Sequence, residues 1–282
     1  MRGNVNVSHV ERVPEHPVPA GPLAVRWLAY ELPEVRAGAP ARARISFENA
    51  GTVHWIPKGA GRVCIGYHWF DEFGNAVVWD GLWTALPHPL APGERAEGHA
   101  NLRGPIPPGR YRLVLDLVAD DRAWFADAGN ATLEREVEVV SRLAERTLAV
   151  VGADDRALKS QSELLVPPAD AAAVAYLAPG CVPARDWATR VLDAHAEGYA
   201  AVGGSIGAAG ALRRSPAELA PWAPGRGRIP GFAHPLLCPS VVRGVEPELL
   251  EPVAGLPALK PPADEPWLYD GRIRITARLR RT

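Results

Sequence analysis

The stretch PPGRYRLVLDLV, residues 107–118, constrains the fold of this chain more than any other. Its prolines and glycine predict a turn, because proline presets φ and glycine tolerates positive φ. Side chains alternate after the turn: the apolar face holds Tyr111, Leu113, Leu115 and Leu117, and the polar face holds Arg110, Arg112 and Asp116. This period of two is typical of a strand with one buried face. Tyr111 also suits a tyrosine corner, in which the hydroxyl bonds an upstream backbone group.

Similar strand patterns recur between turn signals from residue 24 to residue 140. ARARISFENAG alternates, RVCIGYHWF places Val63, Ile65, Tyr67 and Trp69 on one face, and DEFGN predicts a hairpin turn. About six to eight short strands at this spacing predict an all-β sandwich over residues 23–141. Its aromatic residues are expected to be core. Residues 1–22 are polar and rich in proline, so we predict a flexible leader.

Five motifs in this region resemble an immunoglobulin-like domain found in bacterial glycan-biosynthesis proteins. They are FENAGTVHW (with Asn49, Gly51 and Trp55), VVWDGLWTALP, LAPGE, PPGRYRLVLDLV and AWFADAG. The first also looks distantly similar to the start of the four-tryptophan domains of autophagy receptors. The resemblance implies a binding or spacing module beside glycan enzymes, and it names no catalytic residue.

The pattern changes after a predicted boundary at residues 142–146. RTLAVVGADD and DAAAVAYLAPG are apolar runs typical of buried strands. VPARDWATRVLDAHAEG predicts a helix that begins after Pro183, buries Trp187, Val191 and Leu192, and stops at Gly198. YAAVGG predicts a further strand. We therefore expect an α/β domain over residues 147–282.

From residue 174 onwards the chain resembles the later part of family-2 inverting glycosyltransferases of the A-type fold. The motifs that carry the resemblance, in order, are AYLAPGCVPARDWATRVLDAH, AAVGGSI, LLEPVAGLPAL and LYDGRIRITARLRRT. The resemblance implies that Asp270 is the candidate catalytic base. It also implies substrate-binding positions at Asp186, Gly203, Gly204, Arg272 and Arg274.

Residues 177–180 depart from the pattern of that family. The family holds a divalent cation there with aspartates, whereas this chain has Leu177, Ala178, Pro179 and Gly180. Only about thirty residues precede this point in the second half, against about a hundred in the family. We therefore expect a small, degenerate glycosyltransferase-like domain without a metal site. A metal-free enzyme would need Arg272, Arg274 and Arg278 to hold the leaving diphosphate.

Three further patterns have alternative interpretations. GGSIG at residues 203–207 matches the nucleophile elbow of serine hydrolases, with Ser205 as the nucleophile and His234 as the only later histidine. Cys64 and His68 share a strand face, but about 13 Å of strand separates them, which is too far to share a metal. GRIRITARLRR alternates as a strand, with Ile273, Ile275, Ala277 and Leu279 inward, whereas the glycosyltransferase resemblance favours a helix.

Composition limits the remaining possibilities. The net charge of −1 argues against a nucleic-acid binder. Three cysteines far apart in sequence predict neither a disulfide framework nor a zinc site. No apolar run could cross a bilayer and no signal-peptide core follows the first residues, so a cytoplasmic protein is expected.

Three functions remain open. The first is a non-catalytic accessory that binds a glycan or a glycan-biosynthesis enzyme and needs no cofactor. The second is an active glycosyltransferase that uses a nucleotide sugar and a divalent metal, or an unusual metal-free site. The third is everything else, including a hydrolase that uses Ser205.

Overall fold

The computed structural model describes residues 9–119, 123–208, 227–231 and 235–277. The chain divides into two compact units, Met1–Val140 and Ser141–Thr282. No helix in the described ranges is both long and apolar enough to span a membrane.

The described residues of the first unit form nine strands and one short 3-10 helix, Phe125–Ala128. The strands are β1 Glu11–Arg12, β2 Val25–Glu31, β3 Pro40–Asn49, β4 Val63–Phe70, β5 Ala76–Val78, β6 Thr84–Ala85, β7 Arg95–Arg103, β8 Gly109–Ala119 and β9 Leu133–Val139. One antiparallel sheet has the order β1-β2-β3-β7. The other has the order β5-β4-β8-β9, with β6 also pairing with β4. Inward side chains from both sheets form one core that includes Trp27, Phe47, Trp69 and Leu113.

The turn before β8 forms as the sequence predicts. The Tyr111 hydroxyl donates a hydrogen bond to the Pro107 carbonyl oxygen at 2.8 Å, which confirms the tyrosine corner. The predicted apolar face of β8 is buried. Asp116 lies on the opposite face as predicted, and it is buried there because Trp124 and the 3-10 helix also pack on that side of the sheet.

The predicted leader is not wholly flexible. Strand β1 pairs with β2, and the Glu11 carboxylate accepts hydrogen bonds from Tyr30 and Arg135. The Pro22 carbonyl oxygen accepts a hydrogen bond from the Trp55 indole. A Cβ on Gly51 would lie 2.2 Å from that same oxygen, so the asparagine-glycine-tryptophan motif serves to pack the chain around Pro22. Residues 1–8 lie outside the described ranges.

The second unit is also rich in strands. They are β10 Leu148–Val151, β11 Ala173–Tyr176, β12 Val182–Pro183, β13 Ala201–Ala208, β14 Arg228–Pro230, β15 Leu236–Leu237, β16 Ser240–Val242, β17 Glu248–Val253, β18 Leu256–Lys260 and β19 Trp267–Ala277. A mixed sheet has the order β10-β11-β16-β13-β19-β12, with β14 also pairing with β19. A smaller antiparallel sheet has the order β15-β18-β17.

The described residues of the second unit form few helices. They are α1 Asp155–Leu158, α2 Trp187–Glu197 and a 3-10 turn at Pro168–Asp170. The predicted helix is therefore present as α2, with Trp187, Val191 and Leu192 buried, and Gly198 follows its last turn at a φ of 137°. Strands outnumber helices among the described residues, so the unit is more β-rich than the predicted α/β domain.

The edges of this unit can be compared with the predictions. The two units divide between Val140 and Ser141, close to the predicted boundary, and Arg142 is buried and bonds the Gly198 carbonyl oxygen and the Glu265 carboxylate. The C-terminal segment follows its alternation rather than the resemblance: β19 is a strand through Ala277, with Ile273 and Ile275 buried and Ile275 paired with strands on both sides. Leu279 and Arg278 lie outside the described residues.

Candidate functional site

The outer face of the five-stranded sheet carries a group of rings that we call the aromatic cluster: His68, Phe70, Trp79, Trp83 and Trp124. His68 projects from β4 and is buried. Its ring stacks on Trp79 at a centroid distance of 4.5 Å and an interplanar angle of 28°. It also contacts Trp124 at 4.3 Å. The rings form one connected layer above β4 and β8.

Glycine makes room for this layer. A Cβ on Gly66 would lie 2.6 Å from two ring carbons of Trp124. Because Gly66 has no side chain, the Trp124 ring lies directly against the strand. This arrangement leaves Trp124 only 8% exposed, whereas Trp79 is 59% exposed.

Trp79 and Trp83 are held in fixed orientations. His68 covers one face of the Trp79 indole, and the Phe70 ring meets Trp79 edge-on at 6.3 Å. The Trp83 indole donates to the Asp80 carboxylate at 2.7 Å. Trp83 also meets Trp124 edge-on at 6.3 Å. The segment between them is exposed, including Leu82.

Charges around the cluster are arranged unevenly. Burial lowers the pKa of His68, so its imidazole is neutral at neutral pH. Asp80 and Asp127 are exposed carboxylates, and both act electrostatically on His68. Arg112 lies over the Phe70 ring at 4.7 Å and is paired with Glu134. The Trp79 and Trp83 side of the cluster therefore offers indole rings and hydrogen-bond acceptors.

Asp116 lies beneath the 3-10 helix on the same face. Its carboxylate accepts hydrogen bonds from the Leu117 and Ala126 amides at 2.7 and 3.1 Å. Burial nevertheless dominates and raises the pKa of Asp116 to about 7. Asp116 therefore gains its charge only near neutral pH.

In the second unit, Asp270 is held by two arginines. Arg272 donates to both carboxylate oxygens of Asp270 at 2.7–3.2 Å, and Arg228 lies 3.4 Å away. Burial alone would raise the pKa of Asp270, but the hydrogen bonds and charge of Arg272, with Arg228, outweigh it and hold the pKa below its usual value. The carboxylate is engaged in an ion pair.

The structure brings only part of the predicted substrate set together. Gly203 and Gly204 lie on β13 opposite Tyr269 and Asp270 of β19. Both glycines allow close packing: a Cβ would lie 2.9 Å from the Leu236 side chain at Gly203 and 2.1 Å from the Ile273 oxygen at Gly204.

Asp186 and Arg274 are not part of the ion pair between Asp270 and Arg272. Asp186 precedes α2 and binds Arg190 at 2.6 Å. This bond, with a smaller effect from the Arg274 charge, holds the pKa of Asp186 below its usual value. Arg274 is exposed on β19.

The segment after β11 does not suit a divalent cation. Leu177–Gly180 supply no side-chain oxygen, and the nearby carboxylate is Asp154, which accepts a hydrogen bond from the Gly180 amide at 3.2 Å. Cations of this kind need several oxygen ligands. Among the residues that the structure describes, no group of three histidine, cysteine, aspartate or glutamate side chains could hold a metal. Cys64 and His68 are therefore not part of such a group either.

Ser205 does not have the geometry of a nucleophile elbow. A nucleophile elbow places its serine on a sharp turn between strand and helix. Here Ser205 lies within β13, which continues to Ala208, and its side chain is 1% exposed. Its hydroxyl donates to the Gly271 carbonyl oxygen at 3.0 Å. His234 lies outside the described residues.

Sequence reasoning missed the aromatic cluster and a pair of cysteines. The cluster had a signal in WDGLW, where two tryptophans flank a glycine without strand alternation. Cys181 and Cys238, by contrast, are far apart in sequence, and no spacing rule indicated that each affects the pKa of the other in the second unit.

Comparisons with known proteins give little further guidance. No family model and no curated protein matches the chain. Among solved structures, it is similar to a β-glucosidase from Listeria innocua in complex with glucose, with a TM-score of 0.27 and 13% identity over 47% of this chain and 16% of that one. A PapD-like domain of human CEP192 has a TM-score of 0.21 and 16% identity over 49% of this chain and 98% of that domain. Scores this low assign neither a fold family nor an activity.

Proposed function

We propose that this protein is a non-catalytic accessory of bacterial glycan biosynthesis that binds a neutral sugar chain on its aromatic cluster. The observation that carries the proposal concerns Trp79. His68 stacks on one face of its indole, while 59% of the residue's surface stays exposed. Single exposed apolar residues are ordinary on protein surfaces, but a tryptophan fixed by stacking beside others is a prepared contact surface.

The chemistry of the cluster suits a sugar. A pyranose ring has an apolar face of C–H groups that packs on an indole, and hydroxyls at its rim that donate to carboxylates. Asp80 supplies a carboxylate beside Trp83, and His68 is neutral. Because His68 and Asp80 fix the rings in advance, little side-chain entropy is lost on binding. The neighbouring carboxylates disfavour anionic ligands such as nucleic acid.

The finer assignments of fold belong to this proposal. We assign the first unit to the immunoglobulin-like class, supported by its two antiparallel sheets and tyrosine corner. We assign the second to a degenerate A-type glycosyltransferase-like domain, supported by its mixed sheet and by the helix α2 between β11 and β13. None of the three cysteines forms a disulfide, which favours a reducing compartment such as the cytoplasm.

Two features of the second unit support the proposal that sugar transfer has been lost. Asp270 is tied to Arg272, and the segment after β11 lacks carboxylates for a metal. Metal stabilisation of a leaving diphosphate is worth several kcal/mol, so its absence slows transfer by several orders of magnitude. We expect no manganese-dependent release of nucleoside diphosphate from common nucleotide sugars. Turnover that depends on manganese and disappears in Asp270→Asn would establish the active enzyme instead.

The sugar site is tested by titrating neutral and acidic oligosaccharides by calorimetry. Trp79→Ala is expected to lose at least about tenfold in affinity for a neutral chain, because it removes the central contact. Phe73→Ala is the matched control, since Phe73 is 81% exposed in the adjoining turn and outside the cluster. Equal loss in both variants, unchanged affinity in Trp79→Ala, or a preference for acidic chains would refute the site.

A further inference from the structure

A groove of about 450 Å³ runs along one edge of the first unit. Its lining includes residues 135–138 of β9 and residues 32–34, which follow β2. Glu11 and Tyr30 also line it, and the Glu11 carboxylate accepts hydrogen bonds from the Tyr30 hydroxyl at 2.7 Å and from Arg135 at 2.9 Å. Because β1 and β9 are edge strands of the two sheets, the groove lies where the edges of the sheets meet.

Strand β9 presents a backbone edge to this groove. Among the described residues, β9 pairs with β8 alone, and just beyond it the Val140 N–H donates to the Val35 carbonyl oxygen at 3.0 Å. The Val140 carbonyl oxygen accepts from the Ala37 amide at 2.9 Å. Backbone groups alternate in direction along a strand, so the N–H and C=O groups of Glu136 and Glu138 also point away from β8. The backbone of β9 can therefore bond a further strand at these two residues.

The charged side chains of β8 and β9 indicate what a further strand would meet. Glu134, Glu136 and Glu138 share one face of β9, beside Arg110 and Arg112 of β8. Arg112 pairs with Glu134 at 2.6 Å, and Arg110 pairs with Glu138 at 3.4 Å. Within the described part of the chain, Glu136 has no ion-pair partner, and it is exposed. Opposite charges on adjacent strands stabilise a sheet, so a strand beside β9 suits lysine or arginine on this face.

The other face of an added strand would meet apolar side chains. Leu32 and Val137 line the groove, and both pack in the hydrophobic core of the unit. Side chains of a strand alternate between its two faces, so a four-residue stretch of about 13 Å places two side chains in the groove and two beside the glutamates. The groove therefore suits a segment in which basic and apolar residues alternate.

We propose that this groove binds an extended segment of a partner protein in which lysine or arginine alternates with apolar residues, and that the segment adds to β9 as a further strand. Backbone hydrogen bonds to Glu136 and Glu138 give affinity, and the alternating side chains give specificity. This inference goes beyond the proposed sugar binding, because it uses no residue of the aromatic cluster.

The test measures binding of a fluorescent, end-capped peptide, Lys-Val-Lys-Val-Lys-Val, to the full-length protein by fluorescence polarisation at low salt. We expect saturable binding. The same peptide with N-methyl groups on its backbone amides should bind at least about tenfold more weakly, because it keeps its charges and loses backbone hydrogen bonds. The block sequence Lys-Lys-Lys-Val-Val-Val should also bind more weakly, because its basic and apolar side chains do not alternate.

Two substitutions locate the site on the protein. Glu136→Gln should weaken binding of the alternating peptide about two- to fivefold, because it removes one exposed ion pair. Glu72→Gln is the charge-matched control and should leave binding unchanged, since Glu72 lies in the turn between β4 and β5, at the opposite edge of the sheet. Both residues are exposed, so both variants should fold.

Four results would overturn the proposal. One is equal affinity for the alternating peptide and either the N-methylated or the block peptide, and another is an equal loss in both variants. A third is no saturable binding by the full chain; binding that appeared only after removal of residues 1–8 would assign the groove to that segment. The last is a concentration-dependent dimer that the alternating peptide disperses, which would assign the edge to a second copy of this chain.

Discussion

The first unit buries more large rings than the second, whereas both bring backbone segments together at glycines. Seven rings are among the largest fully buried side chains: Trp27, Phe47, Trp55, Trp69 and Phe125 in the first unit, and Trp187 and Tyr269 in the second. A Cβ would lie 2.2 Å from a backbone oxygen at Gly51 and Gly104 in the first unit, and 2.2 and 2.1 Å from one at Gly152 and Gly204 in the second. Lost ring volume should therefore harm the first unit most, whereas added volume at these glycines should harm either unit.

The two units also differ in their buried ionisable groups. Burial raises the pKa of Asp116 in the first unit to about 7. In the second unit, burial lowers the pKa of His195 to about 4, and its ring bridges the Tyr199 carbonyl oxygen at 2.8 Å and the Ser240 hydroxyl at 2.9 Å. The two units should therefore lose stability at opposite ends of the pH range. Amide hydrogen exchange, which reports each unit separately, measures this difference.

The largest expected effect is a cavity in the first unit. Trp69 is fully buried, and its indole donates to the Arg103 carbonyl oxygen at 3.0 Å. Trp69→Ala should lower the unfolding free energy of the first unit by about 3–5 kcal/mol. Amides in β4 and β8 should exchange faster, and those of β13 should not change. Phe73→Ala, at a residue that is 81% exposed, is the control and should leave both unchanged.

Asp116 should make the first unit less stable as the pH rises. Below its usual pKa of 3.8, the carboxyl is neutral in both states and its contribution is fully present. As pH rises to about 7, the unfolded chain ionises first, so about 4 kcal/mol is lost. Asp116→Asn should remove this slope. The difference between the two proteins isolates Asp116, because His68 on the same face titrates in both. Parallel profiles would contradict the raised pKa.

His195 should give the second unit the opposite response. Above pH 6.5 the imidazole is neutral in both states. As pH falls towards 4, the unfolded chain takes up a proton that the folded unit does not, so about 3 kcal/mol of stability is lost. His195→Gln should flatten this slope in the exchange of β13 and β16 amides. A slope that persists in the variant would assign the effect to another group.

Added volume at β13 should destabilise the second unit. A Cβ on Gly204 would overlap the Ile273 carbonyl oxygen, and backbone cannot move aside as a side chain can. Gly204→Ala should cost about 1–3 kcal/mol in chemical denaturation. Gly207→Ala is the matched control on the same strand, since its Cβ would meet only the Ile275 oxygen at 3.8 Å. Equal effects at both positions would mean that close packing is not the cause.

The smallest expected effect is at the tyrosine corner. Tyr111→Phe removes one hydrogen bond to Pro107 and should lower the stability of the first unit by about 1 kcal/mol. Tyr30→Phe is the comparison, because its hydroxyl bonds the more exposed Glu11. A larger loss at Tyr30 than at Tyr111 would argue against the corner as a stabilising feature.

Local patterns predicted most of the strands. Turn residues and alternation are both local, and so β8, its tyrosine corner and the inward residues of β19 could be predicted. At β19 the alternation was a better guide than the resemblance, because Ile273 and Ile275 are buried and Ile275 pairs with strands on both sides.

Tertiary packing determined the features that local sequence patterns could not predict. Alternation placed Asp116 on the correct face, but only the return of Trp124 to that face buries it. Asp270 matched a motif for a base, but its pairing with Arg272 falls at the register irregularity between Asp270 and Arg274. Cys181 and Cys238 affect each other's pKa because sheet order, rather than sequence spacing, brings their segments together.

The position of β19 has a consequence for how the protein is made. This strand pairs with β12, β13 and β14, and it follows all three in the chain. During synthesis, those strands must wait on the ribosome with unpaired edges until β19 emerges. Contacts between distant segments form slowly, and waiting edges invite aggregation. Newly made chains should therefore depend on chaperones for the second unit, while the first completes its sheets earlier in translation.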